Sequence, residues 1–170
     1  EKSKESSSEK DKETKSAPRR GTAGKTSTTS MLTVALQHCG LDPSFAIGGD
    51  LAVSGSGAHE GTGDIFVAEA DESDASFLAF SPEVAIVTNV EADHLDHYGT
   101  PAAYVAAFDE FLGCIIPGGT LVTCVDDPGA AALAATARAR GIRVRSYGRA
   151  EGVDARLVAF RPGDGSSEHL

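Results

Sequence analysis

The 170 residues suffice for one domain with a sizeable hydrophobic core, and no apolar run reaches the 18 residues that a membrane-spanning helix needs. The net charge of −10 is uneven, because residues 1–20 carry seven basic and five acidic side chains whereas residues 21–170 carry eight and twenty. This acidic body argues against nucleic-acid binding, and the polar N-terminus does not resemble a secretory signal. Cys39, Cys114 and Cys124 lack metal-ligand spacing, so we expect reduced, buried thiols in a cytoplasmic protein.

Residues 1–20 are a low-complexity segment without a large apolar side chain, and we expect them to be disordered. They end in Pro18, Arg19 and Arg20, directly before a glycine-rich turn. A phosphate-binding loop normally follows a buried strand, but proline lacks a ladder donor and arginines do not suit a central strand. The sequence therefore predicts that the strand which normally precedes and positions such a loop is missing.

The turn at residues 21–29 reads GTAGKTSTT and leads into a helical pattern. Its glycines allow successive N–H groups to point at one anion, and the helix N-terminus adds partial positive charge. Lys25 is the only lysine between residues 21 and 170. In this context it would reach the β- and γ-phosphates of a nucleotide, while the Thr26 hydroxyl would help to hold Mg²⁺. The alternative is the N-terminus of an ordinary helix, since a full phosphate-loop motif would have glycine where Arg19 stands.

The remaining elements follow from periodicity and turn residues. The first helix runs from Thr26 to about Cys39, with an apolar stripe that begins at Met31. The later elements are predicted as strands at 45–49, 64–71, 84–89, 120–125 and 142–147, helices at 101–114 and 130–140, a loop or frayed hairpin at 50–63, and a weak strand at 157–160. This alternation predicts an α/β domain with a largely parallel sheet flanked by helices.

Polar residues cluster where two of these strands end. Glu69, Asp71, Glu72 and Asp74 follow one strand, and four carboxylates so close together repel one another unless a cation such as Mg²⁺ neutralises them. The alternative is a solvated acidic loop. The second cluster, residues 89–97, contains His94 among further acidic side chains, so it fits a metal ligand and a hydrogen-bonded structural histidine equally well.

Four segments in register resemble the central ATP-binding domain of the Mur ligases. They read GTAGKTSTTSM, FAIGG, FVAEADESDASFL and AIVTNVEADHLDHYG, and the resemblance covers residues 21 to about 148. It implies a P-loop NTPase-like fold and ATP-dependent amide-bond formation in peptidoglycan precursor synthesis. Within the family the motifs are most similar to those of the member that joins L-alanine to UDP-N-acetylmuramate through an acyl phosphate. A related ligase such as a folylpolyglutamate synthase remains an alternative.

The resemblance also implies roles for individual residues. Lys25, Glu69 and His94 would be the catalytic group. Thr26 and Glu69 would hold one Mg²⁺, and His94 would hold a second. The ATP-binding set would comprise Gly21, Thr22, Ala23, Gly24, Lys25, Thr26, Ser27 and Asn89. Asp71, Glu72 and Ser73 would shape the substrate side of the site.

Two departures from the family pattern qualify this expectation. Ala23 stands where the family usually has histidine, so a side chain that faces the ligands is lost. The family's N- and C-terminal domains, which bind the UDP-sugar and supply further ATP and amino-acid contacts, are not seen in the sequence. We therefore expect a tail at 1–20, a central domain at 21–148 and an incomplete part of the same domain at 149–170. On this view the chain is a ligase fragment or, alternatively, an inactive remnant that serves as an interaction module.

Overall fold

The computed structural model describes residues 24–51, 55–91, 95–162 and 167–169, in which helices and strands alternate. The helices are α1 (Lys25–His38), α2 (Leu95–Tyr98), α3 (Pro101–Cys114) and α4 (Pro128–Ala139), with a 3₁₀ turn at Ser76–Ala79. The strands are β1 (Ser44–Ala46), β2 (Ala58–His59), β3 (Phe66–Ala68), β4 (Val84–Val87), β5 (Thr120–Cys124), β6 (Arg143–Gly148), β7 (Ala155–Arg156), β8 (Phe160–Pro162) and β9 (Ser167–His169).

The larger sheet has the order β4-β5-β6-β7, and all of its strands are parallel. Helices α3 and α4 cover one face, where Tyr104 and Leu112 pack with Ala85 and Leu121 of the strands in the main core. Thr100 and Asp127 cap these two helices, and a proline follows each cap, where its missing N–H costs nothing. The parallel sheet flanked by helices that the sequence predicts is thereby confirmed.

A smaller sheet has the order β2-β1-β3, with β1 and β3 parallel and β2 antiparallel. Leu32 and Leu36 lie one turn apart on α1 and pack on Phe45 and Val67 in a separate, second core. Within the described residues β3 pairs only with β1, and β4 pairs only with β5. The carboxyl ends of β1 and β3 lie at the same edge because these strands are parallel, and this edge adjoins the start of α1.

Several details differ from the sequence-based expectation. The apolar stripe predicted for α1 comprises Met31, Leu32, Ala35, Leu36 and Cys39. Leu32 and Leu36 pack on the second core as expected, whereas Met31 is 66% exposed. Cys39 is exposed just after the end of α1, so the prediction of buried cysteines is wrong for this residue, and the other two are only partly buried.

The prediction of a weak strand at 157–160 is also wrong. Its place is taken by β7, which pairs with β6, and by β8, which starts at Phe160, while residues 157–159 are irregular. Each of these short strands is defined by its pairing with a neighbouring segment, β7 with β6 and β8 with β9, and strand propensity alone does not show which residues pair. The frayed hairpin alternative for residues 50–63 is supported by the antiparallel pairing of β2 with β1. None of the described helices has the length and apolar character needed to cross a membrane.

Candidate functional site

The first turn of α1 forms one wall of the candidate site. Gly24 has φ of 90°, a left-handed conformation that side-chain-bearing residues rarely adopt, and its carbonyl accepts the first helical hydrogen bond from Thr28 at 2.9 Å. Among the described residues no side chain caps this helix start, and the N–H groups of its first turn have no acceptor within the helix. Such a turn favours an anion. Gly21, Thr22 and Ala23 of the predicted phosphate loop lie outside the described residues.

Glu69 lies directly after β3 and joins three elements. Its Oε2 accepts a hydrogen bond from the Gly48 N–H at 2.7 Å, and its Oε1 accepts one from the Thr26 hydroxyl, also at 2.7 Å. Gly48 follows β1, whose carboxyl end adjoins that of β3 because the strands are parallel. Ligands of open parallel sheets bind beyond this edge. The structure therefore brings Thr26 and Glu69 together, as the sequence predicts for a shared site.

Lys25 forms an ion pair with Glu72. After the Thr26–Glu69 hydrogen bond, this is the second contact between α1 and residues 69–74, which we call the acidic loop. The Glu72 side chain is only 3% exposed, whereas that of Lys25 is 26% exposed. The Glu72 main-chain carbonyl accepts a hydrogen bond from the Tyr98 hydroxyl, and the Tyr98 ring packs edge-on against Tyr104 of the main core. Burial, followed by the Glu72 charge, raises the pKa of Tyr98, so its hydroxyl remains a donor. Glu72 is thus fixed in the protein interior and faces the lysine.

The other two carboxylates of the acidic loop stabilise turns. The Ser73 N–H donates to Asp71 at 2.9 Å and holds the pKa of that carboxyl below its usual value. The Ser76 side chain, followed by the Ser76 N–H at 2.9 Å, likewise lowers the pKa of Asp74. Each of the four carboxylates therefore has its own donor, and their repulsion alone does not require a shared cation. Asp71 and Ser73 bond to each other. Among the described residues, Glu69 and Glu72 make the direct side-chain contacts of this cluster to α1, while Asp71 interacts with the charge of Lys25.

The Thr26–Glu69 pair has the donor chemistry that suits Mg²⁺. Both supply hard oxygen atoms, and protein sites for Mg²⁺ commonly use one or two carboxylates while phosphate and water provide the remaining ligands. Within the described ranges no three His, Cys, Asp or Glu side chains form a group that could hold a metal. The third predicted ligand, His94, lies outside those ranges. The residues present fit a Mg²⁺ ion that is completed by phosphate oxygens.

Asn89 lies two residues beyond β4, and its Oδ1 is buried without a hydrogen-bond partner in the part of the chain that the structure describes. The neighbouring Val90 N–H donates to Asp127 at 2.9 Å, and the same carboxyl oxygen caps α4 through Ala130 at 2.7 Å. An orphaned buried acceptor is a candidate ligand contact. Asn89 makes no described hydrogen bond to the Lys25–Glu69 group, and Ser27 is exposed in the first turn of α1.

Sequence reasoning missed three of these partners. The Gly48 N–H was recognisable only as part of a glycine turn, and nothing linked it to Glu69. Tyr98 carried no motif that distinguishes it from a core aromatic residue. Asp127 could have been found, because Asp before Pro128 is a typical start of a helix.

Two open clefts lie elsewhere on the surface. One, of about 570 Å³, runs along the exposed side of α1 and includes Met31, Val34 and Leu51. The other, of about 470 Å³, adjoins β7 and includes Arg149 and Arg156. Neither includes Lys25, Thr26, Glu69 or Glu72, so the hydrogen bonds, rather than a cavity, define the candidate site.

Comparison with known proteins identifies relatives that match most of the chain. The model of the "Mur ligase middle domain" matches residues 20–167. A UDP-N-acetylmuramate–L-alanine ligase from Saccharopolyspora erythraea is 66% identical over 149 residues, which are 86% of this chain and 30% of that protein. The chain thus spans less than a third of the length of this curated relative.

Solved structures show the same fold. UDP-N-acetylmuramate–alanine ligase MurC from Thermotoga maritima superposes with a TM-score of 0.68 at 28% identity, covering 82% of this chain and 30% of that one. MurF ligase from the same organism, determined in complex with ADP, superposes with a TM-score of 0.65 at 23% identity, over 85% of this chain and 35% of that one. The second likeness concerns the fold alone.

Proposed function

The chain belongs to the Mur ligase family, whose middle domain it matches, and from this premise we propose that it is the ATP-binding part of an enzyme that joins L-alanine to UDP-N-acetylmuramate. The relative from S. erythraea, with its 66% identity, carries the name of this activity and favours it over a folylpolyglutamate synthase. The corresponding place of action is the cytoplasm. Further domains of the family's enzymes would bind the UDP-sugar and the amino acid.

One observation carries the proposal. The start of α1 presents Lys25 and Thr26 to two carboxylates, Glu72 and Glu69, at the carboxyl edge of the smaller sheet. This combines an ammonium, uncapped helix N–H groups and hard oxygen ligands at one place. A Mg-nucleotide needs each of these, since its phosphates require cations and donors while its metal requires oxygen.

The proposed reaction has two steps. The carboxylate of the sugar substrate attacks the γ-phosphorus of ATP, forming a carboxyl–phosphate bond and releasing ADP. The amine of L-alanine then attacks the acyl carbon, so that an amide forms, phosphate leaves and the amine loses a proton. Both nucleophile and phosphates are anionic in the first step, so catalysis depends on positioning and on neutralising charge.

The residues of the site supply these functions. Lys25 would donate to the β- and γ-phosphate oxygens, and the first-turn N–H groups of α1 would bind the remaining phosphate oxygens. Thr26 and Glu69 would hold Mg²⁺, with His94 as the predicted ligand of a second ion. Bound Mg²⁺ supplies charge neutralisation at the phosphates. Gly48 would orient the Glu69 carboxylate through its N–H, and Asn89 is the proposed contact to the nucleotide base.

A chimaera tests the proposal. Residues 20–167 replace the matching segment of the S. erythraea relative, and phosphate release is followed with UDP-N-acetylmuramate and alanine. We expect alanine-dependent release that falls at least about a hundredfold in the chimaera carrying Lys25→Met, because one group that stabilises transition-state charge is lost. A folded chimaera that releases no alanine-dependent phosphate, or one whose rate is unchanged by Lys25→Met, would contradict the proposal.

A further inference from the structure

Lys25 and Glu72 connect elements that pack in the two separate hydrophobic cores of the described residues. Lys25 is the first residue of α1, which packs against the second core through the half-buried side chains of Leu32 and Leu36. Glu72 belongs to the acidic loop, and Tyr98 fixes its main chain against the main core. The ion pair therefore holds the ammonium toward the interior of the acidic loop.

The proposed nucleotide site needs the same ammonium. Lys25 is the only lysine between residues 21 and 170, and no Lys or Arg follows it until Arg138. A lysine offers three donors on one compact charge. Any donor that faces Glu72 is unavailable to phosphate, and the buried Glu72 charge repels phosphate oxygens that approach the lysine.

We propose that the Lys25–Glu72 ion pair is a latch that the phosphates of the nucleotide have to open. Without ligand, Glu72 holds the ammonium of Lys25 and competes with phosphate for it. This inference rests on the proposed nucleotide site and adds a regulatory contact to it. It assigns to Glu72 a role opposed to binding, whereas Glu69 supports binding through Thr26.

The latch predicts which ligands open it. A ligand has to outweigh a carboxylate in a position that is largely shielded from solvent, so high negative charge close to Lys25 is required. Di- and triphosphates with Mg²⁺ meet this requirement better than a monophosphate. Weakening the latch should therefore improve affinity for polyphosphate nucleotides.

The test compares Glu72→Gln with the wild-type 170-residue chain by calorimetric titration with Mg-ATP. Glutamine keeps the shape and a hydrogen-bond acceptor but removes the charge. We expect Glu72→Gln to bind about tenfold more tightly, which corresponds to about 1.4 kcal/mol. Glu83→Gln is the matched control, because Glu83 is exposed at the start of β4, and we expect its affinity to equal that of the wild type.

Chemical modification tests the latch without nucleotide. An acylating reagent modifies Lys25 at a rate that mass spectrometry separates from the rates of the five lysines in residues 1–20, which serve as an internal reference. We expect Lys25 to react several times faster in Glu72→Gln than in the wild type or in Glu83→Gln. Thermal melts should show Lys25→Met less stable than the Lys25→Met/Glu72→Gln double variant, because the single variant leaves the buried carboxylate without its lysine.

The outcomes separate the two proposals. Nucleotide binding that is equal or weaker in Glu72→Gln, or an unchanged rate of Lys25 modification, overturns the latch and leaves the nucleotide site intact. Absence of Mg-ATP binding in every folded variant removes the nucleotide site and the latch with it. Tighter binding together with faster modification supports both.

Discussion

Thr26 Oγ1 donates a hydrogen bond to Glu69 Oε1 at 2.7 Å, although the two residues are 43 positions apart in the chain. The contact joins the start of α1 to the end of β3. It places a hydroxyl and a carboxylate where a metal could take an oxygen from each. Two variants at this contact, two elsewhere in the domain and a direct binding measurement give testable predictions.

Thr26→Val removes the hydroxyl and keeps the shape of the side chain. We expect the affinity for Mg-ATP to fall about tenfold, because one oxygen ligand and the hydrogen bond to Glu69 are lost. Thr26→Ser is the matched variant and should bind like the wild type. The measurement is a titration of ATP at several Mg²⁺ concentrations. If Thr26→Val weakens binding equally with and without Mg²⁺, the hydroxyl does not act through the metal.

Gly48→Ala tests the orientation of Glu69. A Cβ at position 48 would lie 3.1 Å from Glu69 Oε2, closer than ordinary contact, so the carboxylate has to move. We expect the affinity for Mg-ATP to fall about three- to tenfold. Gly49→Ala is a close control, because its Cβ would meet Thr26 Cγ2 at an ordinary 3.5 Å, and neither glycine has a positive φ. Equal affinities of the two alanine variants would show that Glu69 does not need this position.

Asp154 contributes to the pH dependence of the free energy of unfolding in acid. The Ser146 N–H, at 2.8 Å, and Arg145 lower the pKa of Asp154 from 3.8 to about 2. A carboxyl whose pKa is depressed by folding contributes stability above its unfolded pKa and loses it as the pH falls through the folded one. The contribution is therefore complete above about pH 5 and disappears between about pH 4 and pH 2.

Asp154→Asn should reduce the amount by which the free energy of unfolding falls between pH 5 and pH 2, as measured by chemical denaturation. The variant is less stable than the wild type at pH 5, and the two converge near pH 2. Asp64→Asn, at an exposed position, is expected to follow the wild-type curve. Parallel curves for the wild type and Asp154→Asn would show that Asp154 does not titrate in this window.

Phe77 anchors the acidic loop in the main core. Its ring is 3% exposed and lies 5.3 Å from the Phe108 ring and 5.0 Å from the Phe111 ring, between centroids. Phe77→Ala should lower the free energy of unfolding by about 3–5 kcal/mol because it removes a buried ring and leaves a cavity. Phe80→Ala, at a ring that is 38% exposed, should cost less than about 1 kcal/mol. Urea unfolding measures both, and similar losses would contradict the anchoring role.

Local signals predicted much of the fold. Helix α3 occupies the predicted residues 101–114, because a threonine cap, a proline in the first turn and a helical period agree there. The helix predicted at 130–140 begins instead at Pro128, because Asp127 caps it. The division of the strands into separate sheets depends on pairing between distant segments, which no local pattern encodes.

The sequence predicted some members of the candidate site but not how they pair. The single GK[ST] motif and the acidic run pointed to Lys25, Thr26 and Glu69. Four carboxylates within six residues are equivalent in sequence, so their spacing could not tell that Glu72 faces Lys25 while Asp71 and Asp74 stabilise turns. Burial and the path of the loop determine which carboxylate faces Lys25, and both arise only from tertiary packing.

Calorimetric titration of Mg-ATP into the wild-type chain and into Lys25→Met tests the central claim most directly. Circular dichroism first establishes that both chains are folded. The nucleotide site proposed here predicts saturable heat for the wild type and a loss of affinity of at least about tenfold for Lys25→Met, since a charge-assisted contact to phosphate is removed. Equal heats and affinities for the two folded chains would contradict it.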